Sequence, residues 1–240
     1  MTRTFNTAGP NNPDWHYTLP TLARLPDLAA LVQARAWFVL HAPRQSGKTT
    51  VMRALADELT GSGDYAALWA TCEAAEPFRA DPGAAERIVI ANIVSSAEFA
   101  LPTELRPPPP DDHTAPGNRL ARFLQVWCAS CPLPVVLLLD EIDALQDDAL
   151  LTVLRQLRSI YPYRPSGSPA NVALIGLRDV RDYKVRDASS GHLGTSSPFN
   201  VKVESLTLET FDRDDIAALY GQHSAETGQA FSTEAIDRAF

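Results

Sequence analysis

The chain has 240 residues, 45% of them hydrophobic, with a net charge of −8 and a pI near 5.1. That is enough apolar material for one large or two unequal domains, and the acidic balance argues against a protein whose main role is non-specific nucleic-acid binding, which needs clustered Lys and Arg. No apolar run approaches the roughly 18 residues of a membrane span and no basic-then-apolar segment opens the chain, so no membrane partner is expected and the expected compartment is the cytoplasm. Three cysteines, Cys72, Cys128 and Cys131, make no disulfide framework.

Residues 1–20 carry Gly9-Pro10, Asn11-Asn12-Pro13 and Pro20 among Phe5, Trp15 and Tyr17, without helical or strand period. They read as an extended arm pinned by its aromatics. Leu22, Leu25, Leu28 and Leu31 predict a short helix over 22–33, with Pro26 at its start.

Trp37-Phe38-Val39-Leu40-His41 is an apolar strand, and 50–59 is an amphipathic helix with Val51, Leu55 and Leu59 on one face. Between them lies Ala42-Pro43-Arg44-Gln45-Ser46-Gly47-Lys48-Thr49, the spacing of a phosphate-binding P-loop. Consecutive N–H groups from Ser46 to Thr49 open a helix whose first donors are unpartnered and whose dipole favours an anion. Lys48 supplies a cation to the outer phosphates and Thr49 a hydroxyl for Mg²⁺. The cradle is therefore Pro43, Arg44, Gln45, Ser46, Gly47, Lys48, Thr49 and Thr50. Ala42 departs from the pattern, standing where G-x-x-x-x-G-K-[ST] has its first Gly.

Gly61-Ser62-Gly63 ends that helix, residues 65–71 predict a second strand and 84–99 a helix. Residues 101–117, with four consecutive prolines at 107–110, read as a surface excursion of polyproline character. Asn118 is placed to cap a helix carrying Leu120, Phe123, Leu124 and Trp127 on one side. Five unbroken aliphatics at 135–139 predict a strand buried on both faces of a parallel sheet. A capped helix over 147–160, a buried strand over 172–177, a polar stretch to residue 200 and a last strand over 201–208 follow. From Asp212 onward the pattern is helical. Strands alternating with helices around a P-loop predict an α/β fold with a parallel sheet.

The aliphatic run ends in Asp140-Glu141-Ile142-Asp143. Adjacent carboxylates at the C-terminal end of a buried strand stand where open α/β sheets bind ligands. Asp140 is the expected second Mg²⁺ group, and Glu141 the residue that orients or deprotonates the water attacking a γ-phosphate. Roughly 90 residues separate the two motifs, leaving room for another strand and its crossovers.

With these residues in view the chain resembles the AAA+ and STAND branch of P-loop ATPases, and more closely the bacterial proteins called AAA-like ATP-binding proteins. The resemblance runs through the arm Phe5 to Pro10 with His16-Tyr17, the loop 42–50, the acidic strand end and the segment 175–183. It implies a three-layer sandwich with sheet order 5-1-4-3-2, ATP or ADP with Mg²⁺ as ligands, and a polar sensor at Arg178. For Arg178 a salt bridge to Asp179 or Asp182 is the competing reading. Tyr17, with His16, would lie by the adenine in such proteins, and packing of the arm onto the core is the alternative. The domains implied are an arm and short helix at 1–34, the ATPase at 35–210 and the first helices of a lid at 211–240, cut short at residue 240.

The expected function is Mg²⁺-dependent ATP binding and hydrolysis by a conformational switch, with catalytic roles for Lys48, Glu141 and Arg178. The rivals are a nucleotide-loaded interaction or signalling platform and a DNA-associated ATPase. A helicase motor is disfavoured, since one sheet domain fills the chain and no Ser-Ala-Thr motif follows the acidic strand. Cys128-Ala129-Ser130-Cys131 has C-x-x-C spacing but ends an apolar helix, which favours core thiols over redox or zinc chemistry. The protein partner or effector domain and the oligomeric state are open, and Arg155, Arg158 and Arg164 are the candidate arginine fingers.

Overall fold

The computed structural model describes residues 2–7, 9–178 and 203–240. Five parallel strands form one sheet: β1 (Trp37–His41), β2 (Ala66–Thr71), β3 (Val135–Asp140), β4 (Asn171–Gly176) and β5 (Val203–Thr207), in the order β2-β3-β4-β1-β5. This is the 5-1-4-3-2 order, and the fold is the P-loop α/β sandwich. The expected start of the last strand at residues 201 and 202 lies outside the described residues.

Both faces of the sheet are covered, which is why its strands read as continuous apolar runs. Successive side chains alternate between the faces. Val135, Leu137 and Leu139 of β3, with Leu68 and Leu174, pack against α3 (Pro82–Ala100), α4 (Arg119–Ser130) and α5 (Asp147–Ile160). Val136 and Leu138, with Phe38, Leu40 and Ile175, pack against α2 (Lys48–Gly61) and against Leu28 of α1 (Leu28–Gln33). No helix among the described residues is long and apolar enough to cross a membrane.

The single helix expected over 22–33 is divided. A 3-10 turn spans Thr21–Arg24, Leu25 leaves helical geometry at φ −137° and ψ 71°, and α1 begins only at Leu28. Pro26 is the cause, because its ring excludes the residue before it from the helical region. The far end of α1 is tied down by Asn171, whose buried Nδ2 donates to Leu31 O, at 3.2 Å, and to Ala36 O, at 2.9 Å.

Asn118 occupies the N-cap position of α4 but its side chain makes no capping bond. Glu86, fully buried on α3, does that work from a distance in sequence. Its carboxylate accepts from Arg119 N, at 3.1 Å, and from Gly117 N, at 2.7 Å. Glu86 thereby satisfies an orphan donor at the helix start and anchors the end of the proline-rich excursion. The other end is anchored by buried Leu101 and Leu105, with Trp127 Nε1 donating to Leu105 O at 2.9 Å. Helix α5 also starts at an N-cap without a side-chain bond, Gln146, although Asp147 and Asp148 place negative charge in its first turn.

The helical ending expected from Asp212 is present, and both of its helices are capped by side chains. Asp212 and Asp215 form a capping box at α6 (Arg213–Thr227), and Ser232 caps α7 (Thr233–Ala239). The arm folds on itself through a bridge between Thr4 and His16 and then docks on α6. Arg3 pairs with Glu226 at 2.6 Å, and the Gln222 amide bonds both N and O of Thr18, at 3.1 and 2.9 Å. Phe5 and Tyr17 join this contact, whereas Trp15 is 64% exposed and pins nothing.

Removing the Glu86 carboxylate strands two backbone donors, one at the head of α4. Glu86→Ala is expected to lower unfolding free energy by about 2 kcal/mol in urea titrations.

Candidate functional site

The loop between β1 and α2 is shaped by two left-handed residues, Gln45 at φ 62° and Gly47 at φ 92°. Glycine at 47 is the residue type that adopts this geometry without a Cβ penalty. Ala42 shows why the missing first glycine does no harm. Its φ is not positive, and its methyl is buried in the core between the sheet and α2. Beyond the loop, the α2 N-terminus presents its unpartnered donors, and the buried Ser46 Oγ has no hydrogen-bond partner. An orphaned hydroxyl within a ring of N–H groups suits a phosphate.

Lys48 is buried and folded back over the loop, where Nζ donates to Ala42 O at 2.7 Å and Pro43 O at 2.8 Å. Burial lowers its pKa, opposed by the nearby carboxylates of Glu141, Asp140 and Asp143.

Asp140 is buried at the end of β3 and lies 91 residues from Thr49, yet Thr49 Oγ1 donates to Asp140 Oδ2 at 2.6 Å. Trp69 Nε1 donates to the same oxygen at 3.0 Å, and Glu141 N donates to Oδ1 at 2.9 Å. A hydroxyl beside a carboxylate is a hard-oxygen donor set, the type that fits Mg²⁺. Glu141 is half-buried in the left-handed region at φ 53° and ψ 42°, which costs a non-glycine residue on the order of 1 kcal/mol. Burial first, and the Asp140 charge second, raise its pKa, with Lys48 opposing.

Asp143 braces the turn from the other side. Its Oδ2 accepts from Leu177 N just past β4, and burial raises its pKa against that bond and the charges of Lys48 and Arg178. Gly176 makes this approach possible, since a Cβ there would lie 2.5 Å from Asp143 Oδ2.

A cavity of about 700 Å³ opens over the loop. Arg44, Lys48 and Glu141 line its phosphate end, Phe5, Tyr17 and Leu219 contribute apolar surface, and Arg24 and Phe211 line it as well. Arg178 and Pro43 do not line it; Arg178 is exposed two residues beyond β4, and its competing partners Asp179 and Asp182 lie outside the described residues. Tyr17 is packed against Phe5 and His223, with its hydroxyl 3.1 Å from His223 Nδ1. Thr50 Oγ1 accepts from Asn11 N at 3.2 Å, so the arm touches the cradle directly. A smaller cavity, about 470 Å³, lies between α3, α4 and the proline-rich excursion and shares no residue with the first.

Three contributors carry no local sequence signal. Arg24 donates to Ser46 O at 2.9 Å and to Glu209 O and stacks 4.4 Å from the Phe211 ring, tying the loop to the start of α6. Trp69 and Asn11 are the others. Cys72 adjoins the site, its backbone N donating to Asp140 O at 2.8 Å; burial pushes the Cys72 and Cys128 thiols up to about 12 and raises Cys131.

Residues 32–183, well over half of the chain, match the family model described as an AAA domain. The chain belongs to the AAA domain family. Among solved structures this AAA domain is similar to the Walker-type ATPase of Pyrococcus abyssi, with a TM-score of 0.62 and 12% identity over 98% of this chain and 65% of that one. It is also similar to Cdc6p from Pyrobaculum aerophilum, with a TM-score of 0.53 and 16% identity over 87% of this chain and 50% of that one. The Orc1 protein of Aeropyrum pernix, solved in complex with DNA, matches with a TM-score of 0.51 and 16% identity over 89% of this chain and 52% of its own. The AAA domain thus spans one half to just under two thirds of the solved chains it resembles, and at these identities the likeness is one of fold. No curated protein matches the sequence.

Adding a methyl at Gly176 is expected to cost about 1–3 kcal/mol, because Asp143 must leave Leu177 N. Urea unfolding of Gly176→Ala, Asp143→Ala and the double variant checks this. The two changes should be strongly less than additive.

Proposed function

We propose that this AAA domain binds ATP and ADP with Mg²⁺ and hydrolyses ATP, acting as a conformational switch. One observation carries the reading: Thr49, opening the P-loop helix, and Asp140, closing a strand far along the chain, meet at 2.6 Å beside Lys48 and Glu141. Phosphate cradle, cation and acid–base group then serve one volume, which is what phosphoryl transfer requires of a protein.

In this reading the backbone donors of 46–49 bind the phosphates, and Lys48 exchanges its two carbonyl partners for phosphate oxygens. Thr49 and Asp140 would hold Mg²⁺, which when bound neutralises phosphate charge. Glu141 orients the attacking water and accepts its proton. Burial and the Asp140 charge raise its pKa, which makes it a better proton acceptor than an exposed glutamate. Arg178 is the proposed sensor, and Tyr17 an apolar wall for the base.

The switch element proposed is 211–240, read as the opening of a helical lid joined to the ATPase at 35–210. Arg24 and the arm, residues 1–34, link cradle to α6 and give closure a route. The rival reading, a platform that stays nucleotide-loaded, has the same ground-state contacts and differs only in turnover. Although the Orc1 neighbour was solved with DNA, the net charge of −8 gives a DNA-associated role no electrostatic support. The protein partner, if the switch has one, would read the lid.

Lys48→Ala is expected to weaken ATP binding by calorimetry at least ~100-fold, with unchanged far-UV circular dichroism. Unaltered affinity would end the cradle assignment. Glu141→Gln is expected to keep ATP bound and to slow single-turnover hydrolysis ~10²–10⁴-fold. Equal rates in wild type and Glu141→Gln would favour the loaded platform.

A further inference from the structure

Asp140 is the most heavily engaged carboxylate of the site, and one of its three donors comes from a strand with no assigned role. In the β2–β3 register Trp69 lies beside Leu138 and Thr71 beside Asp140. Alternation therefore puts Trp69 and Asp140 on the same face of the sheet, one pleat apart on adjacent strands. That face is covered by α2. From there the indole reaches diagonally, and Nε1–H meets Asp140 Oδ2 at 3.0 Å, the oxygen that also receives Thr49 at 2.6 Å. The ring is held between the helix and the sheet, with the Arg53 guanidinium 5.4 Å from its centroid.

We propose that Trp69 is a positioning residue that orients Asp140 toward Thr49 and so sets the site's affinity for its divalent cation. The inference rests on the ATP-binding reading above. A carboxylate offers about four acceptor directions. At Asp140 Oδ2 two are taken by Thr49 and Trp69, and Glu141 N takes one at Oδ1, which leaves a single direction for a further donor. The carboxylate cannot rotate without breaking a bond to a buried acceptor.

An indole suits this role for chemical reasons. It is a donor only, it does not titrate, and its bulk fixes the N–H direction, whereas a hydroxyl could turn to accept. On its face of the sheet β2 otherwise presents Ala67 and Thr71, small residues that leave room for one large ring. Outer donors of this kind typically change metal affinity about 10–100-fold when removed.

Trp69→Phe keeps an aromatic ring and deletes the donor. ADP binding is measured by calorimetry across a Mg²⁺ series and in chelator, for wild type, Trp69→Phe and Leu59→Ala, a packing control in the same apolar cluster. The expected result is a ~10-fold higher Mg²⁺ requirement in Trp69→Phe, with affinity in chelator unchanged, and no such shift in Leu59→Ala. A Trp69→Phe variant with the wild-type Mg²⁺ requirement overturns the role alone. A wild type that binds ADP no better with Mg²⁺ overturns the ATP-site reading and this role together. Should Trp69→Phe fail to fold, nitrogen-15 NMR of the indoles decides: the indole signal moved by Asp140→Asn is expected to move on adding Mg²⁺ with ADP. A signal that stays in place overturns the proposal.

Discussion

The hydrogen bond from Thr49 to Asp140 ties the N-terminus of α2 to the C-terminal end of β3, across a sheet in which β4 separates β3 from β1. Its geometry depends on nearly everything else in the molecule. The helix must start where the loop releases it, which requires the left-handed turn at Gly47. The strand must end level with that start, which the parallel register of β2, β3 and β4 imposes. Both layers must be packed tightly enough to hold the separation, and the unbroken aliphatic strands with helices on both faces provide that. A carboxylate buried to this extent is tolerable only because each oxygen has donors.

Around that bond the site stores conformational cost. Glu141 sits in a left-handed backbone, and Asp143 is pressed against a glycine that no other residue could replace without displacement. Such strain persists where the surroundings over-determine it, here through Leu177 N, Asp140 and the packed β4. The result is a turn in which three carboxylates within four residues are held with different partners: Asp140 accepts three hydrogen bonds, Asp143 accepts from Leu177 N, and Glu141 is half-buried beside them.

The arm and the C-terminal helices form the second mechanical unit. Arg3, Thr18 and Tyr17 grip α6, Asn11 touches the P-loop helix and Arg24 joins Ser46 to Glu209. The P-loop is therefore joined to α6 by a path of directed hydrogen bonds, built largely from polar contacts. Such contacts rearrange at lower cost than a packed core.

Much of this was legible in the residues themselves. The loop 42–49, the carboxylates closing the 135–140 run and the α/β alternation are local patterns, in which spacing alone dictates a helix start, a strand end and the chemistry of each. Local reasoning also placed the start of the helical ending at Asp212, where the capping box forms within three residues. It erred where a distant group did the work or a neighbour interrupted the pattern: Glu86 rather than Asn118 bonds the head of α4, and Pro26 splits the helix that the leucine spacing suggested. Trp69, Arg24 and Asn11 reach the site through strand register and chain crossing, which carry no one-dimensional signature. The sequence by itself determined what chemistry the strand ends could offer; the tertiary structure decided which groups meet, since a hydrogen bond across 91 residues exists only once the sheet order has brought its partners within 2.6 Å.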